Sequence, residues 1–84
     1  MFLHVIDVLY LGEYKLRLWF NNNETRDVDL SEELYGEVFE PLRDISIFEK
    51  VTVNPNTNTI QWSNGADFAP EFLFEVGQPV RKTA

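Results

Sequence analysis

The feature that most constrains the fold is an alternation of side chains along residues 14–20. Tyr14, Leu16, Leu18 and Phe20 alternate with Lys15, Arg17 and Trp19. Because successive side chains of a β-strand point to opposite faces of a sheet, this period of two predicts a half-buried strand. Three asparagines at residues 21–23 follow it and predict a tight turn, since Asn tolerates the left-handed backbone region.

Strands are also predicted on both sides of this one. Residues 2–10 alternate as well, but with apolar side chains on nearly both faces, which is typical of a central or well-covered strand. A short turn is predicted at residues 11–13. Residues 24–29 predict a third strand, with Val28 and Leu30 pointing inward. Because the connecting turns are short, the three strands predict an antiparallel meander.

After Leu30 the apolar spacing becomes helical. Ser31 is suited to cap a helix N-terminus, since a Ser oxygen accepts backbone N–H groups and two acidic residues follow it. The apolar positions at helical spacing are Leu34, Val38, Phe39 and Leu42. Gly36 and Pro41 interrupt this run, so we expect two short helical pieces with a break near Gly36. A further apolar turn is expected after Asp44, over residues 45–48.

The C-terminal half combines a hairpin with a short helix. Strands are predicted at residues 50–53 and 59–62, with a turn-rich loop between them. An Asn64-Gly65 turn follows, and Pro70 is well placed at the first position of a helix over residues 71–75. The fold class is therefore α+β: a three-stranded meander, short broken helices, a β-hairpin and a short C-terminal helix. We expect one domain over residues 1–77 and a disordered tail over residues 78–84.

Composition restricts how such a small fold is stabilised. The 84-residue chain has no cysteine, which excludes disulfides and thiolate metal sites. Large apolar side chains must therefore carry the fold. No apolar run approaches the ~20 residues that span a bilayer, and the N-terminus lacks the basic region of a signal peptide. We expect a cytoplasmic protein that makes no membrane contact.

The charge balance bears on the partner. Fourteen acidic residues against seven basic ones give a formal charge of −7. Such a surface disfavours direct binding of nucleic acid, which depends on Lys and Arg displacing counterions from phosphates. It would suit a basic protein partner through electrostatic steering. The alternative interpretation is that the charge serves solubility alone.

The residues give little support for catalysis. His4 is the single histidine and lies in an apolar strand, so a structural role is favoured. The serines therefore have no second histidine to activate a nucleophile, and the four glycines are too isolated to form a phosphate loop. Asp29 and Asp67 could contribute to a cation site, but the spacing of the acids resembles no calcium loop. We expect no catalytic residue, cofactor or metal.

Five residues remain as candidates for an interaction or ligand site: Trp19, Arg26, Trp62, Asn64 and Asp67. Trp19 shares a strand face with Lys15 and Arg17 and is a candidate for an exposed aromatic at an interface, the alternative being a second packed face. Trp62 is expected in the core with Ile60, the alternative being an exposed anchor. Arg26 lies among acids, and we hypothesise that it pairs with Asp67.

Three motifs resemble signatures of a family of small uncharacterised bacterial domains, classed as a domain of unknown function. The first is an aromatic strand end and an Asn turn followed by Arg26-x-Val28-Asp29-Leu30. The second is Gly36-x-Val38-Phe39-x-Pro41-Leu42-Arg43-Asp44 followed by Phe48, and the third is Ile60-x-Trp62-x-Asn64-Gly65-x-Asp67-x-x-Pro70-Glu71-x-Leu73. The resemblance covers about residues 1–75. Asn22-Asn23 stand where a glycine-containing turn is usual in that family.

The resemblance implies an α+β fold with a small antiparallel sheet and no established catalytic residues. Its members are often encoded beside another small domain, in an arrangement similar to toxin–antitoxin pairs. This implies a non-enzymatic interaction or regulatory module, for example an antitoxin-like one, with a small basic protein partner encoded nearby. The alternative is a ligand-binding domain or enzyme with a polar pocket around Asp67, Asn64, Arg26 and Trp62. A third hypothesis is a regulatory subunit that touches nucleic acid only through its partner.

Overall fold

A four-stranded antiparallel sheet and a separate two-stranded hairpin enclose one core. The computed structural model describes residues 2–80. Its elements are β1 (Val5–Gly12), β2 (Lys15–Phe20), β3 (Thr25–Asp29), a 3-10 helix (Glu40–Arg43), α1 (Ile45–Phe48), β4 (Thr52–Asn54), β5 (Thr59–Gln61), α2 (Pro70–Val76) and β6 (Gln78–Pro79). The strand order in the larger sheet is β1-β2-β3-β6, and β4 pairs with β5. The α+β prediction is confirmed, with its meander, short helices, hairpin and C-terminal helix.

The meander has the register that the alternation of β2 requires. Leu16 lies opposite Val28 and Leu18 lies opposite Arg26 on the face of the sheet that covers the core, which we call the inner face. Val28 and Leu30 are both buried, as predicted. The opposite, outer face carries Lys15, Arg17 and Trp19 of β2.

The first strand begins later than the sequence predicts. β1 starts at Val5 because the Asn21 side chain binds the backbone before it: Oδ1 accepts from the His4 N–H at 2.9 Å, and Nδ2 donates to the Phe2 carbonyl at 2.8 Å. β1 then extends into the predicted turn as far as Gly12, whose φ is 113°. The reversal comes one residue later, at Glu13, whose φ is 50°.

The prediction of a helix capped by Ser31 is wrong. Residues 31–39 contain no helix, so the predicted piece before Gly36 is absent. The predicted piece after Gly36 forms as the 3-10 helix over Glu40–Arg43. The Ser31 N–H donates to the Asp29 carboxylate at 2.9 Å, so Ser31 ends a strand instead of starting a helix. Farther along, Arg43 Nε donates to the Leu34 carbonyl at 2.8 Å, which replaces an intrahelical partner. The turn expected after Asp44 is confirmed as α1, with Asp44 as its N-cap.

The C-terminal half matches its local signals more closely. β4 and β5 form the predicted hairpin, and the Val5 N–H donates to the Asn58 carbonyl at 2.9 Å, which ties its loop to β1. Pro70 occupies the first turn of α2 as predicted. Disorder was predicted from residue 78, but Gln78 and Pro79 pair with β3 as β6. Residues 81–84 of the predicted tail lie outside the described part of the chain.

The core lies between the inner face of the larger sheet, the hairpin and α2. Its fully buried side chains include Phe20, Phe48, Trp62, Ile60 and Leu73. Two edge-to-face contacts connect the elements: Tyr14 meets Phe48 at 5.3 Å between ring centroids, and Phe20 meets Phe74 at 5.2 Å. Aromatic rings thus supply much of the cohesion that a cysteine-free chain needs. No helix within residues 2–80 is long and apolar enough to span a membrane.

Candidate functional site

Trp62 is a core residue, not an exposed anchor. Its side chain is only 2% exposed, and its indole Nε1 donates to the Phe48 carbonyl at 2.8 Å. The Trp62 and Phe48 rings lie 5.4 Å apart. Trp62 therefore joins the end of the hairpin to α1, and a partner cannot reach it.

Asn64 organises the turn that follows Trp62. Its Oδ1 accepts from the Ala66 N–H at 3.1 Å, and its Nδ2 donates to the Val38 carbonyl at 2.9 Å. Gly65 has a φ of 89°, a backbone conformation that costs a side-chain-bearing residue more than it costs glycine. The Asn64 amide thus connects this turn to the loop over residues 31–39.

Arg26 and Asp67 do not pair, which overturns that hypothesis. Arg26 lies on the inner face of the sheet, where its NH1 donates to the Phe74 carbonyl at 2.8 Å and its NH2 pairs with Glu24 at 3.0 Å. Asp67 is exposed and takes part in an isolated backbone bridge with Gln61. The polar pocket expected around Asp67, Asn64, Arg26 and Trp62 is therefore not formed, since each of the four has different surroundings.

Asp67 instead lines a shallow groove of about 310 Å³. Its lining is mainly aromatic, with two carboxylates, and we call it the acidic aromatic groove. It is formed by Glu33, Tyr35, Phe39, Asp67, Phe68, Ala69 and Phe72. The groove lies where the turn region, the segment after the Asn-Gly turn and the start of α2 meet. Of the five candidate residues, Asp67 lines this groove. The other residues of its lining were not singled out from the sequence.

Trp19 lies on the outer face with Lys15 and Arg17, as the strand pattern predicts, and its side chain is half-buried. It lies opposite Asp7 of β1 and Thr25 of β3 and lines a groove of about 400 Å³ together with Ile6. Ile6 is 59% exposed, at a point where the pairing of β1 with β2 shifts register. One end of the outer face therefore presents an indole ring beside an exposed aliphatic side chain.

The other end of the outer face has a second groove, of about 300 Å³, where Leu11 and Val76 lie close to Lys15 and Asp29. Between the two grooves, Leu9 lies opposite Arg17 and is 49% exposed. The outer face thus alternates apolar and charged side chains across the sheet.

An ion pair occupies the middle of the outer face. Arg17 donates to both carboxylate oxygens of Asp27, from Nε at 2.8 Å and from NH2 at 3.0 Å. The hydrogen bond and the positive charge of Arg17 lower the pKa of Asp27, although partial burial opposes them. The same hydrogen bond raises the pKa of Arg17. At neutral pH the pair therefore remains fully charged between the two apolar ends of the face.

Other carboxylates are held by local hydrogen bonds. Hydrogen bonds from Ser31 lower the pKa of Asp29, and hydrogen bonds from Ser46 lower the pKa of Asp44. These hydrogen bonds belong to a turn and to a helix cap, so they account for the lowered pKa values without a bound ligand. Within residues 2–80, no group of three or more acidic or histidine side chains is arranged to hold a metal ion.

Sequence reasoning missed two features of these surfaces. The bidentate pair had a usable signal, because a hairpin centred on the Asn21–23 turn places residue 17 opposite residue 27. No comparable signal in the sequence indicated the acidic aromatic groove. Phe39 and Phe68 are far apart in sequence, and their contact depends on how the turn region packs.

Comparisons with known proteins give a family but no characterised relative. No curated protein and no solved structure matches the chain. A family model described as "Protein of unknown function (DUF2442)" matches residues 5–77, which include every strand of the meander, the hairpin and α2. The chain therefore belongs to the DUF2442 family.

Proposed function

We propose that this domain is a non-enzymatic module that binds a small basic protein through the outer face of its larger sheet. The observation that carries the proposal is the set of exposed apolar side chains that lie among charged ones on that open face. Trp19 and Ile6 lie at one end of it and Leu11 at the other, with Leu9 between them. Apolar side chains that are clustered on an exposed face, with charged groups among them, are typical of protein interfaces.

The arrangement of charges supports a protein partner. The Arg17–Asp27 pair is bidentate and lies between the apolar ends, where it would fix the orientation of a docked surface. The net charge of −7 would accelerate encounter with a basic protein and slow encounter with nucleic acid.

The family resemblance suggests where the partner is encoded. Members of the family are often encoded beside another small domain. A two-gene pair is therefore favoured, in which this chain would be the neutralising, antitoxin-like component. A cysteine-free chain suits the reducing environment of the cytoplasm, where such a pair would act.

Affinity purification of this protein, co-expressed with the product of the neighbouring gene, tests the proposal. We expect a stoichiometric complex with the wild-type protein. Trp19→Ala should weaken it about thirtyfold, since buried interface aromatics contribute about 2 kcal/mol or more. Calorimetric titration of the purified proteins measures the affinity, and circular dichroism checks that Trp19→Ala still folds.

Ile45→Ser provides the matched control, because Ile45 is an exposed apolar residue of α1, away from the outer face. It should leave the affinity unchanged. Recovery of no stoichiometric partner, or equal weakening by the two variants, would contradict the proposed function.

A further inference from the structure

The acidic aromatic groove has a floor of three phenylalanine rings in contact. Phe39 and Phe68 lie 4.8 Å apart between centroids, and Phe68 and Phe72 lie 5.7 Å apart and stack at 16°. All three rings are half-buried, so part of each remains accessible to a ligand. Tyr35, which is 66% exposed, stands at the edge of the groove.

The floor is held in place by contacts behind it. Phe68 meets Trp62 of the core edge-to-face at 6.0 Å. The Phe68 carbonyl accepts from the buried Thr59 hydroxyl at 2.5 Å. The central ring of the groove is therefore fixed by the hairpin before any ligand arrives, which lowers the ordering cost of binding.

The charges of the groove all have one sign. Glu33 and Asp67 line it, and no Lys, Arg or His does. Within residues 2–80, neither carboxylate accepts a hydrogen bond or forms an ion pair, in contrast to Asp27, Asp29 and Asp44. The face of an aromatic ring also attracts cations, so the phenylalanine rings and the two carboxylates both favour a positively charged ligand.

We propose that the acidic aromatic groove binds an arginine side chain from an extended basic segment of the partner protein. The inference rests on the proposed function, because the arginine belongs to that partner. A planar guanidinium stacks on a phenylalanine ring and donates two hydrogen bonds to a carboxylate, which suits arginine better than lysine. A volume of about 310 Å³ is at the lower end of the range for ligand sites.

A peptide titration followed by NMR tests this assignment. The probe is a capped peptide of alternating arginine and glycine, added to the uniformly ¹⁵N-labelled protein. We expect shifts in the backbone amide signals of residues 33–35 and 67–72, and little change on the outer face. The same peptide with citrulline in place of arginine keeps the shape and removes the charge, so it should not shift these signals.

Two charge-removing variants make the test specific. Asp67→Asn should weaken the arginine peptide about fivefold, as expected for a partly exposed ion pair, and should leave the melting temperature unchanged. Glu75→Gln removes the same charge from an exposed position of α2 outside the groove and should leave the affinity unchanged.

Equal binding of the citrulline peptide, equal weakening by both variants, or shifts spread evenly over the acidic surface would overturn the assignment. These outcomes are distinct from failure of the proposed function. If the peptide does not bind the groove while the partner still co-purifies in a Trp19-dependent manner, the groove assignment alone is wrong. If the peptide binds as expected and no partner is recovered, the proposed function is wrong instead.

Discussion

Arg26 shows how one side chain can complete the end of a helix that lies far from it in sequence. Its guanidinium lies 3.6 Å from the centre of the Phe74 ring, and NH1 donates to the Phe74 carbonyl at 2.8 Å. That carbonyl belongs to the last turn of α2, where backbone acceptors lack intrahelical partners and a positive charge interacts favourably with the negative end of the helix dipole. Arg26 therefore anchors α2 on the sheet and has no role in a polar pocket.

We expect Arg26→Ala to lower the free energy of unfolding by about 2–3 kcal/mol, because it removes a charged hydrogen bond and a cation–π contact. Arg26→Lys keeps the charge but loses the planar fork, so its loss should be smaller. Urea denaturation followed by tryptophan fluorescence measures both values. A loss below about 0.5 kcal/mol for Arg26→Ala, which is the range of ordinary surface substitutions, would contradict the anchoring role.

At the scale of elements, the fold depends on how closely the end of α2 approaches β3. Gly77 is buried at this junction, and its φ of −75° is ordinary for any residue. The reason for glycine here is space, since an added Cβ would lie 2.8 Å from the Arg26 Cβ and 2.9 Å from the Leu73 carbonyl oxygen. The absence of a side chain lets the chain leave α2 and pair directly with β3 as β6.

Gly77→Ala should therefore destabilise the domain by about 1–3 kcal/mol, the range found for overpacked sites. Because the cause is steric overlap, the helix itself should tolerate alanine. The exposed neighbour Glu75 on α2 provides the control, and Glu75→Ala should change stability by less than about 0.5 kcal/mol. Thermal unfolding monitored by circular dichroism compares the two variants. Equal melting temperatures for both would show that the junction is looser than its geometry indicates.

At the scale of the whole molecule, the domain carries an excess of acidic charge, yet a few of its carboxylates accept specific hydrogen bonds. The pKa values of Asp27, Asp29 and Asp44 are all lowered in the folded state. A group with a lowered folded-state pKa contributes stability that is complete above its unfolded pKa of about 3.9. That contribution is lost as the pH falls through the folded-state value.

We expect the difference in unfolding free energy between the wild type and Asp27→Asn to stay constant above about pH 5. It should shrink as the pH falls below about 4, because protonated Asp27 no longer pairs with Arg17 as an ion. Urea titrations at a series of pH values measure the difference. Glu32→Gln controls for net charge, since Glu32 is exposed and accepts no hydrogen bond within residues 2–80. A difference that persists unchanged to pH 2.5 would exclude the ion pair as its source.

The sequence alone determined those parts of the fold that depend on neighbouring residues. The alternation in β2 predicted its buried face, the asparagines at residues 21–23 predicted the turn to β3, and Pro70 predicted the start of α2. In each case the cause is backbone geometry or side-chain periodicity, which acts over a few positions. The burial of Trp62 was also predictable, because it shares a strand face with Ile60.

Only the tertiary structure decided which residues that are distant in sequence bond to or contact one another. The helical spacing over residues 34–42 was misleading for its first part, since Arg43 donates to the Leu34 carbonyl and no helix forms before Glu40. Arg26 pairs with its sequence neighbour Glu24, but it also donates to the carbonyl of Phe74, 48 residues away. The groove beside Asp67 likewise requires Phe39 and Phe68 to meet. Backbone acceptors and ring faces are present throughout the chain, so packing alone selects which of them a given side chain reaches.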